Sequence, residues 1–267
     1  MLIATVPLWA VDFVEGGIAY KFYGNEVYVT YHASDQYGDD YYAGSVVIPS
    51  TVTRNEVTYN VTGIDPAAFA GCSKTIDVTI PESVVAIGEH AFRECTSLKK
   101  VNLPLLITEL KTGTFYGCKS LESITIGANV ASIGSGCFSE CESLASIVCN
   151  AATPPVATGA FDSYTATLSV PYGKKGLYSA DAVWGLFNNT EEGSPILNYK
   201  VTSNTTVEVI SGDYGGNVVI PSEVAIDGKV YTVTSIGRDA FNRCYSIKKC
   251  NYTELSHKHW LRCILLL

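Results

Sequence analysis

Four cysteines, Cys72, Cys95, Cys118 and Cys141, follow one another at a constant step of 23 residues. Thiols at a fixed spacing could ligate a metal, pair as disulfides, or stack as small buried hydrophobes. Zinc ligands come as close pairs such as C-x2-C, which this spacing does not supply. Cys137 stands where neighbouring units carry Ala68, Ala91 and Ala160, the behaviour of a small hydrophobe. The pattern therefore favours a buried thiol ladder over disulfides, and either over a metal site. Nine cysteines, an odd number, leave at least one thiol free. The four histidines are scattered: His32, His90, His257 and His259. His257-x-His259 with Cys263 imitates a ligand set, but on a segment that carries no repeat. His90 matches Gly113 and Gly136 of neighbouring units and is expected at the exposed surface. The pair Asp39-Asp40 could in principle serve glycoside hydrolysis, yet adjacent carboxylates in a Tyr/Gly-rich loop are ordinarily solvated. G-x-S-x-G, H-E-x-x-H and P-loop motifs are absent from the sequence. No catalytic or metal-binding residue is assigned, no cofactor is expected, and the chain is read as a non-enzyme.

The elements that position these residues come from the same period. Phe69, Phe92, Phe115, Phe138 and Phe161 share the 23-residue step, as do Val61, Val84, Ile107 and Val130. The unit is approximately Ile-Pro-x-x-Val-x-x-Ile-Gly-x-x-Ala-Phe-x-x-Cys-x-x-Leu-x-x-Ile-x-Ile. Segments such as Leu121-Glu122-Ser123-Ile124-Thr125-Ile126 end in the alternation of a half-buried strand. Proline after such a strand, as at Pro81 and Pro104, lacks a donor for the ladder and stops it. Ala91, Phe92 and Cys95 fall on one face of a single helical turn. Gly88 and Gly134 are read as supplying backbone angles that a side chain would hinder. A single unit cannot bury its apolar face, whereas stacked units share one core. The expected fold is a leucine-rich-repeat-like solenoid, β-rich, with one strand and a short helical turn per unit and β-rich entry segments at its flanks.

A second array is announced by an offset of 172 residues between Phe69 and Phe241. Val46-Val47-Ile48-Pro49 and Val218-Val219-Ile220-Pro221 each precede a long link before the next valine. The expected organisation runs in six parts. Residues 1–10 are a signal-peptide remnant, 11–60 a β-rich entry segment and long first link, and 61–189 the solenoid with its closing unit. Residues 190–198 are a linker, 199–252 the start of a second, incomplete array, and 253–267 a tail. Leu2 to Ala10 reads as the end of a secretory apolar region without its basic start, or as an apolar first strand. Loss of the repeat after Tyr252 reads as truncation or frameshift.

Composition narrows the partners. The chain is 47% hydrophobic and 16% charged, too apolar for disorder. Its net charge of −8, without a basic stripe, excludes nucleic acid as the expected partner. No run of 18 apolar residues is present, so no membrane-spanning helix is expected.

The Ile-Gly, Ala-Phe, Cys, Leu and Ile-x-Ile-Pro positions resemble the BspA-like (treponemal-type) leucine-rich repeats of bacterial surface proteins. Thr153-Pro154-Pro155, Leu168-Ser169-Val170-Pro171-Tyr172-Gly173 and Trp184 resemble the closing segments of such arrays in Bacteroidetes. The resemblance covers roughly residues 46–190 and 199–252. It implies an extracellular or cell-surface protein that binds other proteins, with adhesion to host matrix or other microbes in some members. It carries no catalytic residues. Gly127 in place of proline is a departure.

If Leu98, Val101 and Leu103 point inward, their neighbours point out. The expected ligand-binding strand face is then Asp77, Thr79, Lys99, Lys100, Asn102, Glu122, Ser123, Thr125 and Ser146, with Ile76, Ala145 and Val148 beside them. The partner expected there is a protein or glycan; an alternative is a structural spacer in a larger surface protein.

Overall fold

The structure, a computed structural model, describes residues 11–31 and 41–252. His32, Asp39-Asp40, residues 1–10 and the tail with His257, His259 and Cys263 lie outside the described residues.

The chain opens with strands β1 (Phe13–Glu15), β2 (Ile18–Tyr23) and β3 (Glu26–Val29), followed by β4 (Gly44–Val47). The long link is an antiparallel hairpin, β5 (Thr51–Arg54) and β6 (Val57–Ile64). Its two tip residues, Asn55 and Glu56, both take positive φ, 51° and 66°, as a two-residue hairpin turn demands. All of these strands but β4 form a sheet of order β1-β2-β3-β6-β5, in which β3 and β6 run parallel.

From there the units stack. The Ile-x-Ile segments form a first ladder of parallel strands: β4, then β7 (Thr75–Thr79) and β9 (Lys100–Val101). It resumes with β11 (Ser123–Ile126), β13 (Ser146–Cys149), β14 (Thr167–Val170) and β15 (Asn189–Glu192). Between β9 and β11 the sheet is interrupted, the two strands meeting through a Glu122 N–H to Lys99 carbonyl bond of 3.4 Å. A second ladder, built from the x-Ile-Gly segments, runs as two parallel pairs, β6 with β8 (Ala86–Ile87) and β10 (Glu109–Leu110) with β12 (Ser132–Ile133), and is interrupted between β8 and β10. Because the pairing is in register, a period of 23 in sequence becomes a row of like side chains in space.

The helical turn expected in each unit is resolved into consecutive hydrogen-bonded turns. Ala91, Arg93, Cys95 and Leu98 each donate three residues back. The intervening His90, Phe92 and Glu94 donate instead to Thr112, Thr114 and Tyr116 of the next unit. A continuous helix would consume these donors internally; the turns free them to bind one unit to the next. Two backbone positions per unit are left-handed. One is shared by Ala67, His90, Gly113, Gly136 and Gly159, the other by Gly71, Glu94, Gly117 and Glu140.

This corrects the reading of Gly88 and Gly134. Neither is among the positive-φ residues. A Cβ on Gly88 would meet Pro66 N at 2.3 Å, and one on Gly134 would meet Thr112 N at 2.4 Å. These glycines are required by the close approach of the preceding unit's backbone, not by their own torsions.

The core is a column of aromatic rings. Phe69, Phe92, Phe115, Phe138 and Phe161 follow at centroid distances of 4.9, 5.4, 5.7 and 5.3 Å, with ring planes at 22° or less. Offset stacking of this kind adds about 0.5–1.5 kcal/mol per pair beyond burial. Tyr42 begins the column 4.4 Å from Phe69, and Trp184 ends it edge-on to Phe161 at 5.5 Å. Trp184 is buried and its indole N–H donates to the Pro155 carbonyl at 2.7 Å. The closing segment also holds the α-helix α1 (Lys175–Ser179), whose Tyr178 hydroxyl donates to Ala151 at 2.9 Å.

Residues 190–198, expected as a linker, start differently: Thr190–Glu192 complete β15 on the first ladder. A second cluster of buried residues begins at Leu197 and includes Val207, Tyr214, Val233 and Phe241. It is built on β16 (Tyr199–Val201), β17 (Thr206–Val209), β18 (Gly215–Ile220), the hairpin β19 (Glu223–Ile226) and β20 (Lys229–Ile236), and β21 (Ser246–Tyr252). The plan of the first entry is repeated: Tyr199 pairs with Val209 as Tyr20 pairs with Val29. Tyr172 lies where a Cβ on Gly215 or Gly216 would stand, 2.4 and 2.7 Å from its ring atoms.

Candidate functional site

The nine residues expected to bind a ligand all lie on the first ladder. Asp77 pairs with Lys100, Ser123 with Ser146, and Thr125 with Val148. Alternation sends Val78, Val101, Ile124 and Ile147 into the core and leaves their neighbours outside. Thr79, Lys99, Lys100, Asn102, Glu122, Ser123 and Thr125 are exposed, and Asp77 and Ser146 are half-buried. The ladder brings Asp77 and Lys100 together as adjacent opposite charges. It does not gather the set into a pocket; the residues form a strip several strands long. Ile76, 43% exposed, and Val47, 66% exposed, add apolar surface at one end.

Two of the nine have partners already. Ser45 Oγ donates to Asp77 Oδ2 at 3.1 Å. The Asn102 amide bridges to the neighbouring unit in both directions: it accepts from Ile80 N–H at 2.8 Å and donates to the Ile80 carbonyl at 2.8 Å. Asn102 thereby substitutes for main-chain pairing beside the interruption between β9 and β11. A ligand would have to break these bonds to use it.

The thiols are core. Cys95 Sγ donates to the Phe69 carbonyl at 3.1 Å, Cys118 to Phe92 at 3.1 Å and Cys141 to Phe115 at 3.3 Å. Burial raises the thiol pKa of Cys95 and Cys118 well above the ordinary value, and that of Cys141 to about 12. Nucleophilic attack and metal ligation both need the thiolate, so these sulfurs are poorly suited to either. None of the eight described cysteines is in a disulfide.

His90 departs from the expectation of an exposed side chain. It is half-buried, with Nδ1 enclosed and pressed on Gly113, where a Cβ would stand 2.2 Å away. A glycine is thus required at 113 to seat the ring. The acidic pair and the His/Cys tail set fall outside the described residues, and no geometry bears on them.

Sequence reasoning missed Tyr42. Its hydroxyl accepts from Ala19 N–H at 3.1 Å and donates to the Thr30 carbonyl at 2.8 Å. Tyr214 repeats the device, accepting from Asn198 N–H at 2.9 Å and donating to Ile210 at 2.7 Å. The signal was present: each tyrosine precedes its phenylalanine by the same interval, Tyr42 to Phe69 and Tyr214 to Phe241. Also missed was a groove of about 390 Å³ lined by Glu89, Glu109, Lys111, Ser132 and Ser135, in which Lys111 Nζ lies 3.5 Å from Glu109 Oε1.

Parallel in-register strands, connected by turns around a single-file core, define a leucine-rich-repeat solenoid. Residues 48–175 match the model of the BspA type leucine rich repeat region in six copies. Solved structures resemble the chain as well. A leucine rich repeat protein of T. pallidum is 26% identical, with 57% of this chain and 68% of that one covered and a TM-score of 0.48. One from Bacteroides capillosus is 25% identical over 51% and 96% of the chains, TM-score 0.42. One from Bacteroides ovatus is 21% identical over 90% and 76%, TM-score 0.42. No curated protein matches the sequence. Among the described residues, no helix is long and apolar enough to cross a membrane.

Proposed function

We propose that this chain is an extracellular or surface-displayed binding module that engages a protein through the outer face of its first ladder, in adhesion to host matrix or to another microbe. The observation that carries this reading is the in-register strip itself. Asp77 and Lys100 on paired strands, with Lys99 and Glu122 just before β9 and β11, set both signs of charge next to the exposed Ile76. Mixed charge on a preformed surface favours orientation and selectivity of a protein partner, and a site on strands costs little ordering on binding. The BspA-type repeat supports a protein-binding role.

Surface plasmon resonance of the full chain against a panel of purified extracellular-matrix proteins tests it. Binding to at least one is expected to weaken about tenfold or more when Lys99, Lys100 and Glu122 are replaced together by alanine. Undiminished binding by that variant removes the face. Absence of binding to the whole panel favours the second reading, a spacer within a larger surface protein. That reading is supported by the close seating of Tyr172 on Gly215 and Gly216, and by the Val219 N–H bond to Ser194 Oγ at 2.9 Å. Both contacts join the end of one array to the start of the next.

A further inference from the structure

The closing unit is shorter than the units it follows. Nine residues separate Phe115 from Ile124 and Phe138 from Ile147, but seven separate Phe161 from Leu168, which pairs with Ile147. Two rows of the stack are cut short as a result. The leucine row runs Leu98, Leu121 and Leu144; the first two are fully buried and Leu144 is half-buried. The thiol row stops as well, because Tyr164 stands three residues after Phe161 and packs on Phe187 at 5.2 Å. The carbonyls of Phe69, Phe92 and Phe115 each accept the thiol of the following unit and the N–H of their own unit's cysteine. The Phe138 carbonyl, at the same place in its unit, accepts no hydrogen bond among the described residues. What remains is a notch of about 310 Å³, with Phe138, Leu144 and Ile147 as its apolar lining and Glu140, Glu142 and Asp162 as its charged lining.

From these observations we infer that the notch receives a lysine side chain of a protein partner. No lysine, arginine or histidine of this chain lines it. Lys119 Nζ, from the preceding unit, lies 2.8 Å from Glu142 Oε1 and meets that charge. Glu140 and Asp162 have neutral donors in place of an ion pair: the Tyr116 hydroxyl for Glu140, and the Glu140 N–H at 2.8 Å for Asp162. Two such carboxylates and a carbonyl without a donor suit an ammonium group, which brings three N–H donors and no acceptor. Bonds from an ammonium to carboxylates are charge-assisted and stronger than neutral ones. The apolar stem of lysine runs along hydrophobic surface while its head stays with polar groups, as Leu144 and Ile147 below the carboxylates require. A metal ion does not fit, because no group of three His, Cys, Asp or Glu side chains among the described residues could hold one. An acidic ligand is opposed by the three carboxylates and the net charge of −8. The notch shares no residue with the nine of the first-ladder face and is independent of it.

Titration of the isotope-labelled full chain with the peptide acetyl-Gly-Lys-Gly-amide, followed through backbone amide NMR shifts, tests the assignment. Saturable shifts are expected at Glu140, Cys141, Leu144 and Asp162. The same peptide with acetyl-lysine or norleucine in place of lysine should bind about fivefold more weakly or worse. Asp162→Asn keeps an acceptor for the Glu140 N–H but removes the charge, and should weaken the lysine peptide by about fivefold, as should Glu140→Gln. Glu109→Gln removes an equal charge from a different unit and should leave the affinity unchanged, as should the Lys99, Lys100 and Glu122 triple alanine variant. Glu140 and Asp162 are exposed, and the spectrum of each variant reports directly that its fold is kept. The proposal is overturned if the shifts do not saturate or fall elsewhere, or if the acetyl-lysine peptide binds equally well. It is equally overturned if Asp162→Asn and Glu140→Gln both retain full affinity. A matching loss in Glu109→Gln also sinks it, since the chain would then attract cations by net charge alone.

Discussion

Phe92 and Phe115 stack with ring centroids 5.4 Å apart and planes only 4° from parallel, although they are a whole unit apart in the chain. Both are fully buried, and each carbonyl also accepts a thiol from the following unit, Cys118 for Phe92 and Cys141 for Phe115. Ring, backbone and sulfur of adjacent units are therefore joined at one level of the stack. Truncating Phe115 to alanine opens a void between two rings that no neighbour on the same level can fill. We expect a loss of about 3–5 kcal/mol, read from urea unfolding of the first array, with a smaller loss of roughly 1–2 kcal/mol for Phe115→Leu. A loss below 1 kcal/mol for the alanine variant would contradict a continuous column.

The two classes of glycine predict different costs. At Gly134 an alanine Cβ would stand 2.4 Å from Thr112 N, a contact with backbone that cannot give way. Gly136 has φ +64° but nothing nearer than 3.8 Å. Gly134→Ala is expected to cost about 3 kcal/mol or more, and Gly136→Ala about 1 kcal/mol. Paired denaturant midpoints measure this, and reversal of the order would refute the assignment of close approach to Gly134.

Asn102→Ala leaves the Ile80 N–H and carbonyl without their side-chain partner. Ile80 is buried, so the expected cost is about 1–3 kcal/mol. Asn102→Asp keeps the acceptor for Ile80 N–H but faces the carbonyl with a second acceptor, and should be no better. If Asn102→Ala is neutral by thermal unfolding, the bridge contributes nothing to holding the ends of β7 and β9 together.

The buried thiols make stability depend on pH. Burial holds Cys141 near pKa 12 in the folded chain, against an ordinary 9.0, and raises Cys95 and Cys118 well above 9.0 too. The folded state thus keeps protons that the unfolded state releases. Their contribution is fully present below about pH 8 and declines as pH rises from 9 toward 12, by at most about 1.4 kcal/mol per pH unit for each thiol. Urea midpoints should fall between pH 8 and pH 10, and Cys118→Ala should flatten the slope. In the same experiment the native thiols should resist iodoacetamide until urea unfolds the array; rapid alkylation at pH 8 would show them accessible.

Tyr42→Phe keeps the ring against Phe69 but removes the hydroxyl that joins Ala19 to Thr30. The Ala19 N–H then loses its acceptor in the core, at an expected cost of about 1–2 kcal/mol. Tyr214→Phe should weaken the second cluster by a similar amount, through Asn198 and Ile210. A calorimetric trace in which neither substitution moves a transition would dismiss the hydroxyls as dispensable.

The period of 23 by itself determined the rows. In-register parallel stacking converts each repeated position into a column, so Phe69 to Phe161 and Cys72 to Cys141 could be placed in the core from spacing alone. Alternation along Leu121–Ile126 likewise placed Glu122, Ser123 and Thr125 outside. What the tertiary structure decided lies in contacts between units or outside the period. Gly88 and Gly134 look like turn glycines in sequence, yet the backbone of the preceding unit requires them. Asn102 looks like a free surface amide, yet Ile80, 22 residues away, takes both its donor and its acceptor. Tyr42 has no place in the 23-residue unit, and only the meeting of the entry sheet with Phe69 makes it the first ring of the column. The groove lined by Glu89, Glu109, Ser132, Ser135 and Val156 is of the same kind: its walls come from successive units, and side chains far apart along the chain converge only when the stack is built.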